Sequence, residues 1–126
     1  MDTSKEYIKM CEKAGEIQVL WDKDILDFYT TTVYAELDYP DGGNLRGYKQ
    51  EVWLPRQDQL QAMVKWHKTT TPSQLLSELH HWVAYETYPK EHNYAKSFTS
   101  MEQLWLAFVM LERYQKVWNG EDWVKE

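Results

Sequence analysis

The chain is 126 residues long, room for one domain with its own core, and its single cysteine, Cys11, rules out an internal disulfide. Fourteen basic residues against twenty acidic ones give a formal net charge of -6, so the long-range field repels phosphate backbones and direct nucleic-acid binding is disfavoured. No apolar run approaches the roughly 20 residues that span a bilayer, and MDTSKEYIK lacks the basic start and apolar core of a signal peptide, so the expectation is a soluble protein of a reducing cytoplasm, without membrane contact.

Thr3 followed by Glu6 predicts a capping box, in which each side chain satisfies an amide of the first helical turn. The helix predicted behind it runs from about Ser4 to Leu20. Tyr7, Ile8, Cys11, Ala14, Ile17 and Trp21 form its apolar stripe, opposite Lys5, Lys9, Glu12, Lys13 and Glu16. Gly15 weakens the helix interior by roughly 1 kcal/mol relative to alanine, so close packing or early fraying is expected there.

From Tyr29 to Tyr39 the period changes to two, with Thr31, Val33, Ala35, Leu37 and Tyr39 alternating against polar neighbours. Pro40 to Asn44 supplies turn residues, and Tyr48 to Leu54 reads as the returning strand of a β-hairpin. Tyr48, Val52 and Leu54 share one face while Trp53 falls on the other, which requires cover on both faces or a bulge.

Pro55 closes that strand and opens a short helix, Arg56 to Lys65, with Leu60, Met63 and Val64 as its apolar side. A second capping box, Thr71 with Gln74, carries Pro72 at the first helical position and predicts a helix to about Glu86, its face formed by Leu75, Leu76, Leu79, Trp82 and Val83. A polar loop from Tyr88 to Ser97 follows. The last helix starts near Ser100 behind Thr99 and Glu102, turns Met101, Leu104, Trp105, Phe108, Leu111, Tyr114 and Trp118 inward, and stops at Asn119 and Gly120. An exposed apolar face on this helix would favour a homodimer. With no internal repeat, low-complexity segment or composition shift, residues 1–126 read as a single domain of the α+β class. Its expected architecture is a β-hairpin or small antiparallel sheet packed against three main helices and one short one.

Residues that could carry chemistry are few. Glu78 and His81 have the Glu-x-x-His spacing of helical di-iron sites, next to His80, but no second such pair occurs. Asp22, Asp24 and Asp27 lack the glycine and terminal glutamate of an EF-hand loop, and Asp41-Gly42-Gly43 lacks the lysine of a phosphate cradle. Cys11 sits in an apolar stripe as a small hydrophobe. No metal or other cofactor and no catalytic residue is therefore expected, and the chain is read as a non-enzyme.

Two binding signals remain. Between Asp22 and Asp41, six acids stand against Lys23 alone, a net -5. Seven Trp, nine Tyr and three Phe make 15% of the chain aromatic, more than a small core requires, so some of Trp21, Trp53, Trp66, Tyr85, Tyr88, Trp118 and Trp123 are expected at the surface or along a cleft. The partner-binding set expected from these signals is Asp24, Asp27, Glu36, Asp38 and Asp41 for steering, with Tyr34 and Trp53 as aromatic anchors.

Three blocks, EYIKMCEKAGEIQ, VWLPRQDQLQAMV and SMEQLWLAFVMLERYQKVWNGEDWVKE, resemble a family of small uncharacterised proteins encoded by phages and prophages of Gram-positive bacteria. They cover about half the chain and bring no reaction, cofactor or catalytic residue with them. What the resemblance implies is a phage accessory protein in the host cytoplasm. Joined to the binding signals, it leads to the expectation of an inhibitor of a host protein with a basic surface, for instance a bacterial defence component. The competing expectation is a protein that binds or sequesters a nucleotide-like small molecule in an aromatic pocket. A third is a minor enzyme using Glu78, His80 and His81.

Overall fold

Ser4 starts the first helix: its Oγ accepts the amide of Tyr7 at 3.2 Å, while its own amide donates to Asp2 Oδ1 at 2.8 Å. The cap therefore lies one residue beyond the predicted Thr3. Asp2 fills the role predicted for Glu6, and Glu6 instead accepts the indole N–H of Trp118 at 2.9 Å. The computed structural model describes residues 1–22, 29–35, 47–64, 71–86 and 94–126. Within them, helix α1 spans Lys5–Lys13 and ends at Ala14, whose φ of -89° and ψ of 70° leave helical geometry before α2 resumes over Gly15–Gln18.

The predicted Ser4 to Leu20 helix is thus two pieces, and the break has a structural use. It aims the Gln18 amide group so that Nε2 donates to Cys11 O at 3.1 Å and Trp53 O at 2.9 Å, while Oε1 accepts the Trp53 amide at 2.9 Å. One side chain ties the end of α1 to the end of a strand. A Cβ added to Gly15 would meet nothing within 4 Å, so close packing does not explain the glycine.

Strands β1 (Tyr29–Ala35) and β2 (Gly47–Trp53) pair antiparallel, one residue to one, from Tyr29 opposite Trp53 to Ala35 opposite Gly47. The ladder has no bulge. Val52, Trp53 and Leu54 are all buried, so of the two expectations for this strand, cover on both faces holds. The predicted turn at Pro40 to Asn44, and the extension of the first strand to Tyr39, lie outside the described residues.

Helix α3 (Gln57–Val64) buries Leu60 and Val64 and packs on the last helix. Helix α4 (Pro72–His81) begins with the predicted box: Thr71 Oγ1 accepts the Gln74 amide at 3.3 Å and Gln74 Oε1 accepts the Thr71 amide at 2.8 Å. It continues into a π-helical turn, Trp82–Glu86, and a 3-10 turn over Ala95–Ser97 precedes the last helix.

Helix α5 (Met101–Tyr114) is capped by Ser100, whose Oγ accepts the Gln103 amide at 3.1 Å. Trp105 through Met110 are buried without interruption. That marks a helix enclosed on every side, so the single inward stripe was too narrow a reading. Met101, expected to turn inward, is instead 45% exposed at the start of the helix.

The helix stops at Tyr114 because Gln115 takes a left-handed conformation, φ 53°, and not at Asn119 as predicted. Lys116–Trp118 and Trp123–Lys125 then pair as a second antiparallel hairpin, β3 and β4. Asn119 Oδ1 accepts the amides of Glu121 and Asp122 at 2.9 and 2.8 Å across a turn in which Gly120 adopts φ 99°. This hairpin is stitched to α1 and α2: Trp123 Nε1 donates to Met10 O at 2.9 Å and Lys9 pairs with Glu121 at 2.9 Å on α1, and Lys116 pairs with Glu16 on α2. No helix among the described residues is long and apolar enough to cross a membrane.

Candidate functional site

Of the expected partner-binding residues, Asp24, Asp27, Glu36, Asp38 and Asp41 lie outside the described residues. Tyr34 lies in β1 opposite Tyr48, and only its backbone is described. Trp53 is 4% exposed. It therefore presents no surface to a partner, which corrects its assignment as an anchor: Gln18 takes both of its backbone polar groups and its ring joins the core.

Most of the described tryptophans are consumed in the same way. Trp82, Trp105, Trp118 and Trp123 are buried and Trp21 is half-buried, while Trp66 and Tyr88, and the side chain of Tyr85, lie outside the description. Among the described residues, the indole N–H groups of Trp53, Trp82 and Trp105 have no hydrogen-bond acceptor. Each orphan costs about 1–3 kcal/mol. Burying an aromatic side chain of roughly 150–250 Å² returns about 4–6 kcal/mol, so burial wins even without a partner for the nitrogen.

An aromatic and apolar surface does exist, at a place the sequence reading did not assemble. Ile17 fills the inward position of α2, and the chain then turns through Leu20 N–H to Ile17 O at 3.0 Å and Trp21 N–H to Gln18 O at 3.2 Å. Val19 and Leu20 are thereby left outside, 80% and 45% exposed. Tyr29, 54% exposed, enters β1 with its ring 5.5 Å from that of Trp21. Asp22, exposed beside them, opens the acidic stretch. The signal was the run Val19-Leu20-Trp21, which follows an apolar stripe already completed by Ile17.

A second feature lies between α4 and α5. Ser77, Glu78, His81 and Trp82 from one side and Phe108 and Glu112 from the other line a cleft of about 390 Å³. Trp82 and Phe108 form its floor, with ring centroids 5.2 Å apart. Glu78 precedes Trp82 by four residues and Glu112 follows Phe108 by four, so each carboxylate shares a helix face with one of the rings. Helical spacing singled out Glu78 and His81; Glu112 and the rings join them only through packing. His80 is exposed and does not line the cleft.

Neither feature carries obvious covalent or metal chemistry. Burial pushes the Cys11 thiol well above its ordinary range, against a smaller opposing effect of the hydrogen bond to Tyr7, which leaves it a protonated core group. Among the described residues no three His, Cys, Asp or Glu side chains are placed to hold a metal ion. No family model, curated protein or solved structure matches the chain.

Proposed function

We propose that this chain is a phage accessory protein that acts by binding: it docks onto a host protein with a basic surface, for instance a defence component, and blocks it, in the host cytoplasm and without a catalytic step of its own. One observation carries the reading. The exposed group of Val19, Leu20 and Tyr29, with Trp21 beside it, adjoins in sequence a stretch of net charge -5. Apolar side chains supply contact energy at the centre of an interface, and a field of one sign speeds encounter with an opposite one. The anchors in this reading are Trp21 and Tyr29, with Asp24, Asp27, Glu36, Asp38 and Asp41 as steering residues.

A nucleotide-like ligand is the weaker reading. The cleft beside Trp82 and Phe108 offers no ring face to a base, since these side chains are 1% and 2% exposed.

The test is affinity capture from host lysate with the wild-type chain and two variants, followed by kinetics on the captured protein. Val19→Asp with Tyr29→Ala weakens capture by about tenfold or more, the scale of a lost hot spot. Asp38→Lys with Asp41→Lys slows association at low salt and leaves dissociation nearly unchanged. Equal capture by all three chains refutes the docking reading.

A further inference from the structure

We propose that the outer edge of β1, from Tyr29 to Ala35, takes up an extended basic segment of the partner protein as a third strand. The inference rests on the docking reading above and names how the partner is held: through its backbone, beside the exposed ring of Tyr29.

Gln18 reveals which backbone groups of the hairpin face outward. In an antiparallel ladder each residue points its N–H and C=O either at the paired strand or away from it, alternating along the chain. Trp53, opposite Tyr29, has both groups taken by Gln18, so they point away from β1, and Tyr29 and Trp53 form a non-hydrogen-bonded pair. The register then sends the N–H and C=O groups of Tyr29, Thr31, Val33 and Ala35 to the outer edge of β1, and leaves those of Thr30, Thr32 and Tyr34 to bond β2.

The two edges of the hairpin are treated differently. At β2, helix α1 packs against the strand and Gln18 closes its end. At β1, among the described residues, β2 is the only strand paired. Tyr29–Ala35 (YTTTVYA) holds no charge and no proline, and its ladder has no bulge, so the usual guards of a sheet edge are missing from it. Such an edge is a template for strand addition, in which main-chain hydrogen bonds supply the affinity.

Charge decides between the possible occupants. Asp22, Asp24 and Asp27 precede β1 in the chain, and Glu36, Asp38 and Asp41 follow it. A second copy would bring the same acids alongside and be repelled, whereas a segment rich in Lys and Arg is attracted. At the start of the strand, Tyr29 and Trp21 offer apolar contact to a side chain of that segment.

Hydrogen exchange followed by NMR tests the edge, and a peptide tests its occupant. In the isolated chain the amides of Thr31, Val33 and Ala35 are expected to exchange about tenfold or more faster than those of Thr30, Thr32 and Tyr34. A fluorescein-labelled peptide of alternating Lys and Val is expected to bind saturably in anisotropy titrations and to slow those outward amides. The same peptide methylated at every backbone nitrogen keeps its charge and loses its donors, and binds about tenfold or more weakly. Thr31→Pro removes an outward N–H, leaves the ladder to β2 whole, and weakens the parent peptide to a similar extent. The proposal is overturned if the outward amides of the free chain are as protected as the ladder amides, if the parent peptide gives no saturable signal at millimolar concentration, or if the methylated peptide binds equally well. A dimer in sedimentation that Thr31→Pro dissociates overturns it too, in favour of a second copy. Capture from host lysate separates the two readings: if Thr31→Pro captures the partner as the wild type does while Val19→Asp with Tyr29→Ala does not, docking stands and strand addition falls.

Discussion

Tyr7 shows how a single polar atom can be fixed inside an apolar core. Its side chain is fully buried, and its hydroxyl donates to the carbonyl of Pro55 at 2.6 Å, joining α1 to the segment between β2 and α3. Burial, with the neighbouring Cys11 thiol adding to it, drives its pKa far above the ordinary phenol value, so the group remains a donor at any working pH. Tyr7→Phe removes the donor and keeps the ring, leaving a buried carbonyl without that partner. The expected loss is about 1–3 kcal/mol in urea unfolding, with an unchanged m-value. A loss below about 0.5 kcal/mol would mean that water replaces the hydroxyl. The inward place of Tyr7 was legible from helical spacing, but its acceptor, 48 residues away, was not.

Elements defined by local chemistry were read more accurately than elements defined by competition between signals. Thr69 and Thr70 stand before Thr71, but Pro72 suits the first helical position, so Thr71 is the cap and its box with Gln74 forms as predicted. Thr3-Ser4 and Thr99-Ser100 each offer two adjacent caps, and in both cases the serine wins. Asp2 decides the choice: it accepts from the Ser4 amide at 2.8 Å, the Ser100 hydroxyl at 2.6 Å and Gln103 Nε2 at 2.8 Å, contacts that bring the starts of α1 and α5 together. Asn119-Gly120 was ambiguous in another way, since the pair stops helices and also turns hairpins. The left-handed Gln115 had already ended α5, so the pair served the hairpin. Gly15 offers a direct test of element-scale reasoning. Its backbone is helical, its φ is not positive, and its surroundings are open. Gly15→Ala should therefore raise stability by about 0.4–1 kcal/mol, mainly by restricting the unfolded chain. Destabilisation in thermal or urea melts would show that the break at Ala14 depends on the glycine.

At the scale of the whole molecule, the fold is closed by polar contacts between residues about a hundred positions apart. Asp2 holds Ser100 and Gln103, Glu6 holds Trp118, and Glu16 pairs with Lys116. None of these was legible in the sequence. The cleft shares that origin, since packing alone unites Glu78 and Glu112, whereas the exposed run at Val19 was present in the sequence once Ile17 was recognised as the last inward position. These closing contacts make stability depend on pH in a definite direction. Partial burial works to raise the pKa of Asp2, but the Ser100 and Ser4 hydroxyls, the Ser4 amide and Gln103 outweigh it and hold it below its ordinary 3.8. Burial likewise opposes ionisation of Glu16, and Lys116 outweighs it, holding that group below 4.5. A carboxylate whose pKa falls on folding stabilises the native state above its unfolded value, and that contribution fades as pH drops through the folded one. Urea midpoints should thus be level near neutrality and fall below about pH 4.5. In a variant carrying Asp2→Asn and Glu16→Gln the midpoint should start lower and fall less steeply over the same range. Parallel acid limbs for the two proteins would place the acid sensitivity in other carboxylates and remove these two from the closure of the fold.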